Sequence, residues 1–206
     1  MKSITSLAVV VMVGLSLSAG RALADDKEAV GNGAKAWVTA MMDGDVKGLK
    51  AHSVGDEKEM ARWEAMTKML SGFKKMSEAA TAKYGEQADA MSRMFRKPDF
   101  TQMQAGAKID VQGDDATITG KDSKVMKLKK DGGEWKVVLS SMQDSGKMDP
   151  KQAEAMGDAA AATGEEIKDG KYPTYLDAMK AFQLKMVAAM GAQGGRPGRP
   201  GATPAK

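Results

Sequence analysis

Hydrophobic residues recur with helical spacing in the first half of the chain and with strand spacing after about residue 106. From about residue 26 to 42 an apolar side chain returns every three or four positions, which predicts a helix with one buried face. The positions on that face are Val30, Ala34, Trp37, Val38 and Met41. The Asp43-Gly44-Asp45 step should end this helix. Asp45 is then suited to cap a short second helix.

A longer helix is predicted from about residue 56 to 84, and Gly85 is expected to end it. Its apolar stripe consists of Met60, Trp63, Met66 or Thr67, Leu70, Phe73 and Met76. A further short helix is expected over about residues 86–95, before Pro98 stops it.

Alternation of apolar and polar residues between about positions 107 and 139 predicts four strands joined by hairpins. Turns are expected at Gly113-Asp114 and at Asp131-Gly132-Gly133, where glycine accepts a positive φ. The apolar positions of this alternation are Ala107, Ile109, Val111, Ala116, Ile118, Met126, Leu128, Trp135, Val137 and Leu139. The sequence therefore predicts an α+β fold, with N-terminal helices packed on a curved antiparallel sheet of about four strands.

A helical extension is predicted over residues 146–190. Asp149-Pro150 resembles an N-cap followed by a first-turn proline, and the helix it starts should run to about Ala162 with little to bury beyond Met156. Thr174 and Asp177 resemble a capping pair for a last helix. Its expected inner face is Tyr175, Met179, Phe182, Met186 and Met190. Residues 191–206, rich in glycine and proline, are expected to be a disordered tail.

Residues 1–24 have the three parts of a cleavable signal peptide. Lys2 supplies the positive start, Ile4 to Leu17 form the apolar stretch, and Ala22-Leu23-Ala24 fits an A-x-A cleavage site. The apolar stretch is shorter than the roughly 20 residues that a membrane-spanning helix needs. We therefore expect a periplasmic or secreted protein that begins at Asp25 and has no membrane span after cleavage.

Composition excludes several classes of function. The chain has no cysteine, so neither a disulfide nor a catalytic thiol nor a lipoprotein anchor is expected. After loss of the signal peptide, the chain has 29 Lys and Arg residues and 27 Asp and Glu residues. A balance this close to neutral argues against a nucleic-acid partner. No nucleotide-binding, zinc-protease or serine-hydrolase motif occurs in the sequence.

The order of helices and strands resembles the NTF2-like (SnoaL-like, cystatin-like α+β) superfamily over roughly residues 26–142, within a domain expected at residues 25–145. Three segments carry the resemblance: the Ala36–Asp45 helix end, the alternating Ile109–Ile118 run, and Leu128–Val137 with its Gly132-Gly133-x-Trp135-Lys136-Val137 motif. The resemblance implies a curved sheet that encloses a cone-like cavity with the helices. The superfamily includes isomerases, cyclases, dehydratases, ligand carriers and interaction modules, so the resemblance does not select one activity.

Five aromatic and sulfur-containing residues are candidates for lining such a cavity with apolar surface. They are Trp37, Met41, Trp63, Tyr84 and Trp135. The three tryptophans fit a filled core equally well, because tryptophan is the bulkiest core residue.

The sequence names no catalytic residue, metal ligand or cofactor. His52, the sole histidine, follows a short helix in a polar stretch that pairs it with no carboxylate. Asp43 and Asp45 are better explained as a turn and a cap than as a general base. Met66-x-x-Met69 and Met91-x-x-Met94 have a spacing compatible with Cu(I), but methionine at such positions is usually core filler.

We therefore expect a non-enzymatic binding or interaction domain for a small apolar ligand or an envelope protein. A cavity enzyme of the isomerase or dehydratase type is the first alternative, and a methionine-based copper binder is the second. The oligomeric state is left open, a homo-oligomer included.

Overall fold

The computed structural model describes residues 25–88, 93, 106–121, 123, 125–145 and 148–193. Three expectations lie outside these ranges, either wholly or in part. They are the signal peptide at 1–24, most of the short helix expected over 86–95, and residues 194–206 of the expected tail. Within the described ranges the protein is α+β, as the sequence predicts.

The described helices are α1 (25–43), α2 (Val46–Ala51), α3 (Glu57–Tyr84), α4 (Pro150–Lys168) and α5 (Tyr175–Gln193). The strands are β1 (Ser53–Val54), β2 (Lys108–Gln112), β3 (Asp115–Thr119), β4 (Val125–Asp131) and β5 (Glu134–Val138). Short 3-10 segments follow α3 at Gly85–Ala88 and β5 at Leu139–Ser145.

The chain divides into two compact units. The first, here called the sheet unit, contains the described residues of 1–41, 45–60 and 97–146. The second, here called the helical unit, contains those of 42–44, 61–96 and 147–206. Most of the long helix α3 therefore belongs with α4 and α5.

The sheet has the strand order β1-β5-β4-β3-β2. Strands β2 to β5 form the expected antiparallel meander, and Gly132 and Gly133 both have a positive φ at the last hairpin. The expectation of a purely antiparallel sheet of about four strands was incomplete, because β1 adds a fifth strand that runs parallel to β5. A strand of two residues is too short to show alternation, so its pairing has no signal in the sequence.

The core of the sheet unit forms where α1 approaches β5. Gly33 lies against Trp135 so closely that a Cβ on Gly33 would overlap the Trp135 carbonyl oxygen. Glycine is therefore required here for the helix to reach the strand. The large side chains that this unit buries almost completely are Val30, Trp37, Leu49, Leu128, Val137 and Leu139.

The helical unit is built on a close pairing of α3 and α4. Gly72 on α3 faces Gly157 on α4, and Gly164 lies against the backbone of Met76. The contacts advance in the same direction along both helices, so the two helices run parallel. Small residues at the crossing let the two backbones approach more closely than large side chains would allow.

Helix α4 differs from its sequence-based prediction. Asp149 caps it and Pro150 opens it as expected, but the helix continues to Lys168 rather than ending near Ala162. Met156, the expected buried residue, is only half-buried. The buried face consists of Ala153, Gly157, Ala159, Ala160, Thr163, Gly164 and Ile167. A search for large apolar residues misses this face because close helix packing buries small ones.

Candidate interaction surface

Helix α5 begins with a capping pair that the sequence predicts. The backbone N–H of Asp177 donates to Thr174 Oγ1 at 3.2 Å, and that hydroxyl donates to Asp177 Oδ2 at 2.7 Å. These bonds satisfy a free N–H of the first turn and fix the direction in which α5 leaves the preceding loop.

The inner face of α5 packs on the core of the helical unit. Ala178 is fully buried in the same cluster as Met76 of α3 and Ile167 of α4. Phe182 meets Phe73 edge to face, with ring centroids 5.5 Å apart, and Tyr175 meets Tyr84 in the same manner at 6.0 Å. Both arrangements are favourable for aromatic rings. One side of α5 is thus committed to the fold.

A single carboxylate ties α5 to the end of α4. Glu166 accepts hydrogen bonds from Lys171 Nζ at 2.6 Å, from the Tyr172 hydroxyl and from Lys185 Nζ. The bond from Lys171, followed by those from Lys185 and Tyr172, lowers the pKa of Glu166 to about 2. Burial and then the Glu166 carboxylate raise the pKa of Tyr172 to about 12. Because Lys185 lies near the middle of α5, this cluster attaches the middle of α5 to the end of α4.

The loop between α4 and α5 is also fixed to the end of α3. The backbone carbonyl of Tyr172 accepts from the Tyr84 hydroxyl at 2.9 Å and from Lys83 Nζ at 2.7 Å. Burial, with the charge of Asp177, raises the pKa of Tyr84. Helix α5 is therefore held at its start and at its middle.

The outer face of α5 is apolar and exposed. Its exposed residues are Leu176 at 61%, Leu184 at 72%, Val187 at 64% and Met190 at 45%. At about 100° per residue these four side chains fall within an arc of about 120°, and the exposed Lys180 and Gln183 lie inside that arc. They are four of the five exposed large hydrophobic residues in the described part of the chain. We call this set, with Lys180, the α5 outer face.

Sequence reasoning missed most of this face. It assigned Met190 to the inner side, whereas the structure leaves that residue exposed, and it gave Leu176, Leu184 and Val187 no role. A signal was present, because apolar residues occur all around α5. A helix that is apolar on every side has a second apolar face that needs a contact.

The five residues expected to line a cavity are divided between the two units. Trp37, Met41 and Trp135 belong to the sheet unit, while Trp63 and Tyr84 belong to the helical unit. All three tryptophans are buried and Met41 is half-buried. Tyr84, also half-buried, uses its hydroxyl to support the loop before α5.

The tryptophans of the sheet unit have different polar surroundings. Trp37 Nε1 donates to Ser53 Oγ at 2.9 Å, and Ser53 Oγ donates to the Leu49 carbonyl at 2.6 Å. Trp135 Nε1 is buried and has no hydrogen-bond acceptor among the described residues, and Lys130 Nζ lies 5.5 Å from the centre of its ring. Trp37 thus links α1 to β1, and Trp135 contacts the neighbouring strand β4. Contacts of this kind are typical of core residues.

The residues considered for acid–base chemistry have structural contacts. Asp45 Oδ1 caps α2 by accepting from Gly48 N at 2.9 Å, which confirms the predicted cap. Asp43 pairs with Lys74 Nζ at 3.0 Å. His52 ends α2, and its backbone carbonyl accepts from Val137 N at 2.9 Å.

The described residues offer neither a metal-binding cluster nor a membrane-spanning helix. No group of three or more His, Cys, Asp or Glu side chains there could hold a metal ion. Met66 and Met69 are half-buried on α3, and Met91 and Met94 lie outside the described residues. No helix in the described ranges combines the length and apolar character that crossing a membrane requires.

Comparisons with protein-family models, with curated proteins and with solved structures gave no match for this chain.

Proposed function

We propose that this protein is a non-enzymatic interaction domain that docks on a component of the cell envelope through the α5 outer face. The observation that carries the proposal is that α5 is apolar on both sides, with one side packed and the other exposed. Contiguous apolar patches of this kind on a soluble domain usually mark contact surfaces. Leaving Leu184 in water forgoes about 1.5–3 kcal/mol that its burial would supply.

The way α5 is held supports the same proposal. The Glu166 cluster and the Tyr172 carbonyl fix the helix before any partner arrives. A preorganised surface binds more tightly, because its backbone and side chains lose little conformational entropy on binding. The outer face therefore presents its leucines in a fixed arrangement.

The expected signal peptide and the resemblance to the NTF2-like superfamily complete the proposal. Residues 1–24 have the composition of a signal peptide, which supports a periplasmic or secreted location. The helix ending at the Asp43-Gly44-Asp45 step and the four-stranded meander support membership of the NTF2-like superfamily. Interaction modules occur in that superfamily, so the proposed role is compatible with it.

Co-sedimentation with the envelope fraction of the source organism tests the proposed function. We expect the chain from Asp25 onward to sediment with the envelope, and the double variant Leu184→Gln/Val187→Gln to remain in the supernatant. Val125→Gln is the matched control, because Val125 lies on β4 and is the one other exposed large hydrophobic residue in the described part of the chain. The docking role of α5 would be refuted if Leu184→Gln/Val187→Gln sedimented as fully as Val125→Gln. It would also be refuted if the parent chain did not sediment with the envelope.

A further inference from the structure

The charge of the C-terminal region indicates what kind of surface the α5 outer face contacts. Asp177 is the last acidic residue of the chain, and it belongs to the cap with Thr174. The residues from 178 onward contain no Asp or Glu and five cations: Lys180, Lys185, Arg196, Arg199 and Lys206. Lys185 is paired with Glu166, whereas Lys180 is exposed inside the apolar arc.

We infer that the α5 outer face binds an anionic phospholipid surface, an inference that rests on the proposed function and names its partner. Interfacial helices of this kind lie in the plane of the membrane, with apolar side chains below the headgroups and basic side chains against the phosphates. Val187 lies at the middle of the apolar arc and Leu184 at one edge of it, and Lys180 lies between these two residues around the helix. The basic residues that follow the helix add attraction to a negative surface.

A second copy of this chain fits the face less well. Pairing two outer faces would bring together two copies of Lys180. No acidic residue of α5 after Asp177 could neutralise them. Like charges brought together at an interface oppose association. A lipid surface supplies both the apolar layer and the negative charge that this face lacks.

Vesicle binding by the chain from Asp25 onward tests the inference. The vesicles are phosphatidylcholine alone, or phosphatidylcholine and phosphatidylglycerol in equal parts. We expect binding to the anionic vesicles only, and a decrease in binding as salt is added. Lys180→Gln should lower the partition coefficient about fivefold. Leu184→Gln/Val187→Gln should lower it at least about tenfold, with Val125→Gln unchanged.

Three results would overturn the inference, and they differ in what they say of the proposed function. Equal binding to both vesicle types would remove the role of charge. Failure to bind either, while the envelope fraction still binds through Leu184 and Val187, would leave docking intact and make the partner a protein. A dimer in sedimentation velocity that dissociates in Leu184→Gln/Val187→Gln would make the occupant a second copy. Thermal unfolding of each variant checks that the substitutions leave the fold intact.

Discussion

Gly72 of α3 and Gly157 of α4 face each other so closely that a Cβ on Gly72 would overlap the carbonyl oxygen of Gly157. On the other side, a Cβ on Gly157 would lie 2.7 Å from the Cα of Met69. Both obstacles are backbone atoms, which cannot rotate away as a flexible side chain could. The helical unit thus depends on two residues that have no side chain.

Gly72→Ala and Gly157→Ala should each destabilise the protein by about 1–3 kcal/mol or more, because the helices must separate to admit a methyl group. Urea unfolding followed by circular dichroism measures the change. Gly191→Ala on α5 is the matched control, since a Cβ there meets nothing within 4 Å. That variant should be neutral or more stable by up to about 1 kcal/mol. Equal stability of all three variants would contradict the close crossing.

This crossing also shows where sequence reasoning succeeded and where it failed. The antiparallel meander was predictable, because alternation and the Gly132-Gly133 turn are local signals. The caps at Asp45, Asp149 and Thr174 were local too, and each is confirmed. The α3–α4 crossing was not predictable, because glycine and alanine give no apolar periodicity. The outer face of α5 was missed because large apolar residues occur on every side of this helix. Their pattern therefore does not show which side is buried.

Glu166→Gln should destabilise the helical unit, because Lys171 and Lys185 lose the carboxylate between them. About a quarter of the Glu166 side chain is exposed (25%), so solvent screening limits the loss to about 1–2 kcal/mol. The pKa of Glu166 is lowered to about 2 in the fold from an ordinary 4.5. Its contribution is therefore complete above pH 4.5 and is lost as the pH falls from there to about 2.

Thermal unfolding between pH 2 and pH 7 measures this dependence. Glu165→Gln is the control, because its pair with Lys168 is exposed on the surface and should contribute less than about 1 kcal/mol. Identical pH profiles for parent and Glu166→Gln would refute the role of the cluster. The raised pKa of Tyr172 predicts the reverse at alkaline pH, with stability lost as the pH rises from 10 to about 12.

Ser53→Ala should destabilise the sheet unit by about 1–3 kcal/mol. The buried hydroxyl accepts from Trp37 Nε1 and donates to the Leu49 carbonyl, so the substitution removes both bonds in a buried place. Denaturant unfolding monitored by tryptophan fluorescence measures the loss. Ser140→Ala, at an exposed position, should change stability by less than about 0.5 kcal/mol. A loss of the same size at both positions would contradict the assignment.

His52→Ala and Asp45→Ala separate an interaction domain from a cavity enzyme. Asp45→Ala removes the cap of α2 and should lower stability by about 1 kcal/mol. Neither variant should change envelope binding, because neither residue is part of the α5 outer face. Co-sedimentation of each variant with the envelope fraction checks this. Loss of binding in a variant that remains folded would place function near α2.

The most direct test of the central claim measures the solvent exposure of the α5 outer face itself. The chain has no cysteine, so Leu184→Cys carries a single environment-sensitive fluorophore, and Ala162→Cys, exposed on α4, is the control. On adding the envelope fraction, we expect the probe at residue 184 to shift its emission to shorter wavelength, while the probe at residue 162 stays unchanged. An unchanged emission at residue 184, or equal shifts at both positions, would contradict docking through α5.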